Sequence, residues 1–484
     1  MPSFLIRFLD RHDFRYHVWR ALLWGLFLRL VLAFFSVAPL DLIEFQTYLL
    51  PAKNLGAVGS PAGISLLESY WIQFLSGVFN GFWQIGVQSP LSQLRLLSAL
   101  LGVMSLISVA GAAFYGVGKP QARSSKLLLY ICAMHCVFAL LGTRVLIGGV
   151  VMSLLLFAIG LLENSLRTSC WWKGVLGGVI SGVLAFANTW LLLFLLTYVA
   201  LSLLERHFLL AIIGLSQFFV FGFLLKHFGF WMTPGPVFLM KPFSSLFIIG
   251  LLLVPFAPLV LFVFSKSFFT SVQRNLFLLV PVLLILMLRT YGGEFSYSEL
   301  IPLMGPLMLW MGDLWALQKR TNFWSRRVFA PFLILLNFGI GGVFVVYPVS
   351  AVEIDPLSKY TFRWNSVLYL DLSEALSRQE LKDFFLSDTQ EVRPFDISQV
   401  NSTTLGDIMV AETPWEAMVI LTSKEKDQFY LESLADIQLQ GFECGSIQNS
   451  MSVMALWSRL WVSRSNLEPL RLWYLVCEKV RGGS

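Results

Sequence analysis

From Trp19 to Tyr347 the chain is a succession of apolar runs separated by short polar gaps, and beyond Tyr347 that rhythm stops. A hydrocarbon core about 30 Å thick takes roughly 20 helical residues to cross, fewer where the ends snorkel. Runs near 21–38, 95–115, 127–142, 146–162, 174–187, 190–204, 208–228, 246–264, 275–288, 300–317 and 329–347 meet that length, which predicts eleven spans. The apolar stretch 174–204 is too long for one crossing, so it is divided at Asn188-Thr189. Between the first two spans, residues 39–94 form a long loop. Within it, Ile64 to Phe82 is aromatic and apolar but broken by Ser, Gly, Gln and Asn. That mixture predicts one or two amphipathic helices lying in the membrane interface. A hairpin of two short spans is the alternative, and would raise the count to thirteen.

After Tyr347 the apolar runs shorten to strand length: Ala417 to Leu421, Val453 to Leu456 and Leu472 to Val476. Between them Phe429, Leu431, Leu434 and Ile437 fall near helical spacing over 424–439. Residues 348–484, about 135 in number, are enough for a core of their own. The fold class expected is therefore an all-α polytopic membrane domain over 1–347, followed by a soluble α/β domain over 348–484.

Composition fits this division. Hydrophobic residues make up 56% of the chain and charged residues 13%, against about 25% charged in a soluble domain. The net charge of +6 does not point to nucleic acid, because the cations gather in alternate gaps between the spans. One side receives Arg7, Arg11, Arg15 and Arg20; Lys119, Arg123 and Lys126; Arg167 and Lys173; Arg206; Lys266 and Arg274; and Lys319, Arg320, Arg326 and Arg327. The other holds little beyond Lys53, Arg144, Lys241 and Arg289, with Lys226. Loops rich in Lys and Arg stay in the cytoplasm. The pattern therefore predicts a cytoplasmic N-terminus and an external 348–484. The run Ala21 to Ala38 is too long and too late for a cleaved signal peptide and reads as a retained anchor. Cys132 and Cys136 lie one turn apart in an apolar span and are expected to pack as small apolar groups. Cys170 faces the cytoplasm, whereas Cys444 and Cys477 are both external, where a disulfide is permitted.

The sequence has no phosphate-cradling GxxxxGK[ST] loop and no Cys/His set at metal-ligand spacing. What remains is a group of ionisable residues in the outer loops. Asp41 and Glu44, just after the first span, stand at i and i+3 and share a face if a helix begins there. Two carboxylates that close compete for one proton, which suits a general base. The plainer alternative is an acidic helix start favoured by the macrodipole. The spans themselves are nearly free of ionisable residues, Arg29 being the main exception.

Four stretches resemble a known family: LRLVLAFFSVAPLDLIEFQTYLLPAKNLG (Leu28 to Gly56), PLSQLRLLSALLGVMSL (Pro90 to Leu106), WWKGVLGGVISGVLAFANTWLLLFLL (Trp171 to Leu196) and ELIPLMGPLMLWMGDL (Glu299 to Leu314). They are similar to the bacterial relatives of the protein O-mannosyltransferases, a GT-C group that includes the lipid A 4-amino-4-deoxy-arabinose transferases. The match is degenerate. The family's Asp-Glu doublet reads Ile43-Glu44 with Asp41 displaced, and its Lys-Pro-Pro reads Gly59-Ser60-Pro61. Gly148-Gly149 stand where an acid is expected after Arg144, and Glu299 replaces an aromatic before Pro302.

The resemblance implies a glycosyltransferase of the bacterial inner membrane that takes sugar from a polyprenyl phosphate and passes it to a lipid, glycan or protein acceptor outside. Asp41 or Glu44 would be the base, with Glu294 and Glu299 as secondary acids. Lys53, Arg144, Lys241 and Arg289 would hold the donor phosphate. A divalent metal is the one cofactor it admits. Two other classes stand beside this reading. A transporter or flippase of lipid-linked sugar predicts internal repeats and paired polar residues at mid-membrane, and the sequence displays neither. A polysaccharide polymerase or ligase would share the external arginines without the folded C-terminal domain.

Overall fold

The computed structural model describes residues 13–35, 48, 52, 66–87, 90–117, 122–135, 139, 141–143, 145, 147–227, 239–240, 272–273, 275–292, 295–296, 302–310, 367–371, 390–394, 416–422, 442–446, 448–449 and 473–479. The helices are α1 (Phe14–Phe35), α2 (Leu66–Gln84), α3 (Pro90–Ser105), α4 (Ile107–Val117), α5 (Ala122–Met134), α6 (Ile147–Thr168), α7 (Trp171–Leu184), α8 (Leu192–Leu204), α9 (Phe208–His227) and α10 (Leu276–Gly292). A further helical stretch covers 302–310. Among the described residues four helices are long and apolar enough to cross a membrane: Phe14–Phe34, Ser92–Gly116, Ile147–Thr168 and Phe208–His227. Thr189–Leu204 and Leu276–Met287 are apolar but shorter. The protein is thus a helical membrane protein that also carries a small sheet. The expected spans 246–264 and 329–347 lie outside the described residues.

α6 is buried along nearly its whole length and forms the centre of the bundle, with α4 and α7 packed against it. The α4–α6 approach is close because glycines meet: a side chain at Gly111 would strike the backbone at Leu156, and one at Gly160 the backbone of Gly111. Small residues at such crossings let backbones come together where no hydrophobic effect drives association. α1 packs on α3 and α5, and α9 on α7 and α8. α9 buries only Leu210, Ala211, Gly214 and Leu225, while Phe208, Leu209, Ile212, Phe219 and Phe223 face outward. A helix apolar on every side and buried on one is suited to lipid.

The long apolar stretch divides where the polar pair predicts. α7 stops at Leu184, and the Asn188 side-chain oxygen accepts from the Trp190 amide at 3.1 Å, capping a single 3₁₀ turn that leads into α8. One other break carries no such local mark: the 95–115 run is interrupted at Leu106. Within the 127–142 run, helical bonds link His135 N to Ile131 O (3.1 Å), Ala139 N to His135 O (2.8 Å) and Thr143 N to Ala139 O (3.2 Å).

α2 occupies the expected interfacial stretch and is not among the helices long and apolar enough to cross. It buries one face, Glu68, Trp71, Ile72, Leu75 and Phe79, and exposes Tyr70, Phe74 and Trp83.

The strands are β1 (Leu239–Met240), β2 (Phe295–Ser296), β3 (Val367–Asp371), β4 (Gln390–Pro394), β5 (Ala417–Thr422), β6 (Phe442–Cys444), β7 (Gln448–Asn449) and β8 (Trp473–Lys479). β3 to β8 form a mixed sheet in the order β4-β3-β5-β8-β6, with β7 also on β8. β3 pairs in parallel with both β4 and β5, whereas β8 runs antiparallel to β5 and β6. Ala417 to Ile420 and Trp473 to Cys477 are buried without alternation, as in a sheet covered on both faces. Two of the three expected strands are therefore found, β5 and β8. Val453 to Leu456 and the helix expected over 424–439 lie outside the described residues. Cys444 and Cys477 are register partners on β6 and β8 and form a disulfide across a separation of 33 residues. Closing a loop of that size in the unfolded chain stabilises the fold by about 3–4 kcal/mol.

Candidate functional site

Asp41, Glu44, Lys53, Arg144, Lys241, Glu294 and Glu299 lie outside the described residues. Arg289 is on α10, three residues before its end at Gly292. Described residues near several of them in the chain make two separate contacts. The Tyr48 hydroxyl, four residues after Glu44, donates to Glu68 Oε1 at 3.0 Å. One turn along α2, Trp71 Nε1 donates to the carbonyl of Val145 at 2.8 Å, one residue after Arg144. The first long loop is thus tied to the second short one. On the other side of the sequence, β1 and β2 pair antiparallel with Met240 opposite Phe295. That ladder joins the segment leading to Lys241 with the segment that follows Glu294.

Two further ionisable residues were not singled out by sequence. Glu68 is 5% exposed and accepts from Tyr48 in the first turn of α2, where the macrodipole favours an anion. It is the single charged residue of 64–82, a signal the amphipathic reading passed over. A carboxylate held this way can take a proton from a bound hydroxyl or orient a cation. Arg95, in the second turn of α3, has a buried Nε with no hydrogen-bond partner among the described residues. It sits near a helix N-terminus, where the dipole disfavours a cation, and lay inside an expected span, so it was not counted among the loop cations.

Deeper in the bundle, Arg29 is 1% exposed. Its Nε donates to Ser105 Oγ (2.6 Å), Nη1 to the carbonyls of Ala133 (2.8 Å) and Gly25 (3.1 Å), and Nη2 to that of Cys132 (3.4 Å). Among the described residues it has no carboxylate partner.

The opposite end of the bundle, which the charge pattern assigns to the cytoplasm, is occupied by local pairs. Arg167 binds Glu163 through its Nε at 3.1 Å, and Lys173 donates to Asn164 Oδ1 at 2.6 Å. Asn164 Nδ2 reaches the carbonyl of Phe114, and Ser165 shares a hydrogen bond with Tyr198. These cations brace helices. Among the described residues no three His, Cys, Asp or Glu side chains converge, so a divalent metal has no ligand set there.

The described residues define a helical membrane protein that carries a small sheet. The sequence matches no family model, and no curated protein is significantly similar to it.

Proposed function

We propose that the chain is an integral-membrane glycosyltransferase that moves a sugar from a polyprenyl phosphate to a lipid, glycan or protein acceptor at the outer face of a bacterial inner membrane. In this reading the chain crosses the membrane eleven times, its N-terminus is cytoplasmic and residues 348–484 are external. The observation that carries it is the docking of α2: Tyr48 to Glu68 and Trp71 to Val145 tie the loop of Asp41 and Glu44 to the loop of Arg144.

The chemistry needs two kinds of group within reach of each other. Asp41 or Glu44 removes the proton from the acceptor hydroxyl as its oxygen attacks the anomeric carbon. The bond from that carbon to the phosphate oxygen breaks, and polyprenyl phosphate leaves as an anion. It requires neutralisation rather than a proton, which Arg144, Lys241, Arg289 and Lys53 supply. Arginine's planar fork suits phosphate especially well. Glu294 and Glu299 are the reserve acids.

A flippase is the second reading, favoured by the break at Leu106, since interrupted helices line substrate sites in transporters. Arg29 binds Ser105 beside that break, which leans back toward the first reading.

Mass spectrometry of lipid A and envelope glycans tests the proposal. A strain lacking this protein should lose one sugar mass from an envelope component and regain it with the wild-type chain. An unchanged envelope under conditions where the protein is made would overturn the proposal.

A further inference from the structure

We propose that the turns joining α6 to α7 and α8 to α9 form a binding site for an anionic phospholipid, with Arg206 taking the headgroup phosphate. The site lies at the end of the bundle that the charge pattern assigns to the cytoplasm, and it stands whether or not the chain transfers sugar.

Both turns close in the same way. Cys170 N bonds back to Ser165 O (3.3 Å) and His207 N to Ser202 O (2.8 Å). Each is a 6→1 closure that needs a left-handed residue just before the donor. Those residues are Ser169 (φ 52°) and Arg206 (φ 61°), the two non-glycine residues of positive φ among the described residues. Glycine is the ordinary occupant, because a Cβ is disfavoured there. Arg206 is exposed and makes no hydrogen bond or ion pair among the described residues. No contact of its side chain there offsets the strain of its backbone, and strain of that kind points to function.

The two turns are also brought together. Ser169 Oγ and His207 Nδ1 lie 3.4 Å apart. Beyond them α7 and α9 run side by side in the same direction. A methyl group at Gly174 would lie 3.5 Å from Leu210 Cδ2, one at Gly178 would overlap the Gln217 amide, and one at Gly182 the Phe221 ring.

Charge and polarity select the occupant. Arg167 is neutralised by Glu163. Lys173 is held by Asn164 Oδ1 and lies 5.6 Å over the Trp172 ring, but has no carboxylate partner among the described residues. The Glu205 carboxylate is 3.8 Å from His207 Nε2 and does not pair with Arg206. Lys173 and Arg206 are thus the cations left without a carboxylate. Alongside them Trp171, Trp172, Phe208 and Leu209 are exposed, and the outward faces of α7 and α9 continue apolar through Val179 and Ile212. Tryptophan belongs at the membrane–water boundary, and basic sites between spans at that boundary take anionic headgroups. The arginine fork matches the phosphate oxygens. A soluble anion would use the charge but none of the apolar flank.

The test titrates the purified full-length chain, in neutral detergent, with phosphatidylglycerol or phosphatidylcholine and reads binding by native mass spectrometry. The wild-type chain should prefer phosphatidylglycerol by roughly tenfold or more, as one charge-assisted hydrogen bond provides. Arg206→Gly supplies the residue the turn favours, so it should melt no lower than wild type without lipid, yet lose that preference. Arg206→Lys, which keeps the charge, should recover part of it. Arg15→Gln, on α1, which packs on α3 and α5, should leave the preference intact. An equal loss from Arg15→Gln would mean diffuse attraction to positive charge and would overturn the site. Unchanged preference in Arg206→Gly would also overturn it. So would displacement of phosphatidylglycerol by an equal concentration of inorganic phosphate, which would identify a site for a free anion.

Discussion

At the scale of single residues, the proposal separates groups that act on turnover from groups that act on donor binding. Glu44→Gln or Asp41→Asn should remove about 10²–10⁴-fold of kcat while membrane insertion and donor binding persist, as expected for loss of a general base. Arg144→Ala or Arg289→Ala should weaken donor binding by about 1.5–3 kcal/mol. Steady-state kinetics on the same preparation distinguishes the two, and wild-type turnover in both acid variants would move the base to Glu294, Glu299 or Glu68. Glu68 also has a stability signature. Glu68→Ala leaves the buried Tyr48 hydroxyl without the acceptor it now has, which should cost about 1–3 kcal/mol. Glu68→Gln, which keeps an acceptor, should cost less, and thermal unfolding in detergent reads the difference. The acids and arginines of the loops were chosen from sequence because each stands out against an apolar background, and all but Arg289 lie outside the described residues. Glu68 was not, because its burial depends on Tyr48 from a distant part of the loop.

At the scale of elements, three locally marked features are found among the described residues. The split of 174–204 is written in Asn188, whose side chain caps the turn beyond the break. Asn188→Ala should therefore cost about 0.5–2 kcal/mol, again measurable by thermal unfolding. β5 and β8 were legible from short apolar runs bounded by polar residues. The turn at Leu106 between α3 and α4 was not, because the Ser105 hydroxyl beside it is bound by Arg29 from another helix, and nothing in the residues near Leu106 announces that contact. The α4–α6 contact is similar. Gly111 and Gly160 are visible in sequence, but only packing assigns them to each other. Gly160→Leu should prevent α4 from seating on α6 and abolish folded yield in detergent, whereas the same change at Gly81, where no atom lies near, should be tolerated.

At the scale of the whole molecule, the alternation of charge makes a prediction independent of any chemistry. Reporter fusions after Arg167, Arg274 or Arg327 should report cytoplasm, and fusions after Lys241 or within 350–484 should report the exterior. An external signal at Arg327 would overturn the span count from that point backward. The Cys444–Cys477 disulfide agrees with an oxidising compartment for the sheet. Both thiols should therefore resist alkylation until reductant is added, and equal labelling without reductant would contradict the bond. The central claim is that sugar is transferred rather than carried across. The most direct measurement is turnover by the purified full-length chain in liposomes supplied with polyprenyl-phosphate sugars and an envelope acceptor, followed by mass spectrometry of both products. The account predicts equal amounts of free polyprenyl phosphate and glycosylated acceptor from the wild-type chain, and neither from Glu44→Gln. Movement of intact donor between leaflets with no glycosylated product would contradict it and identify a flippase.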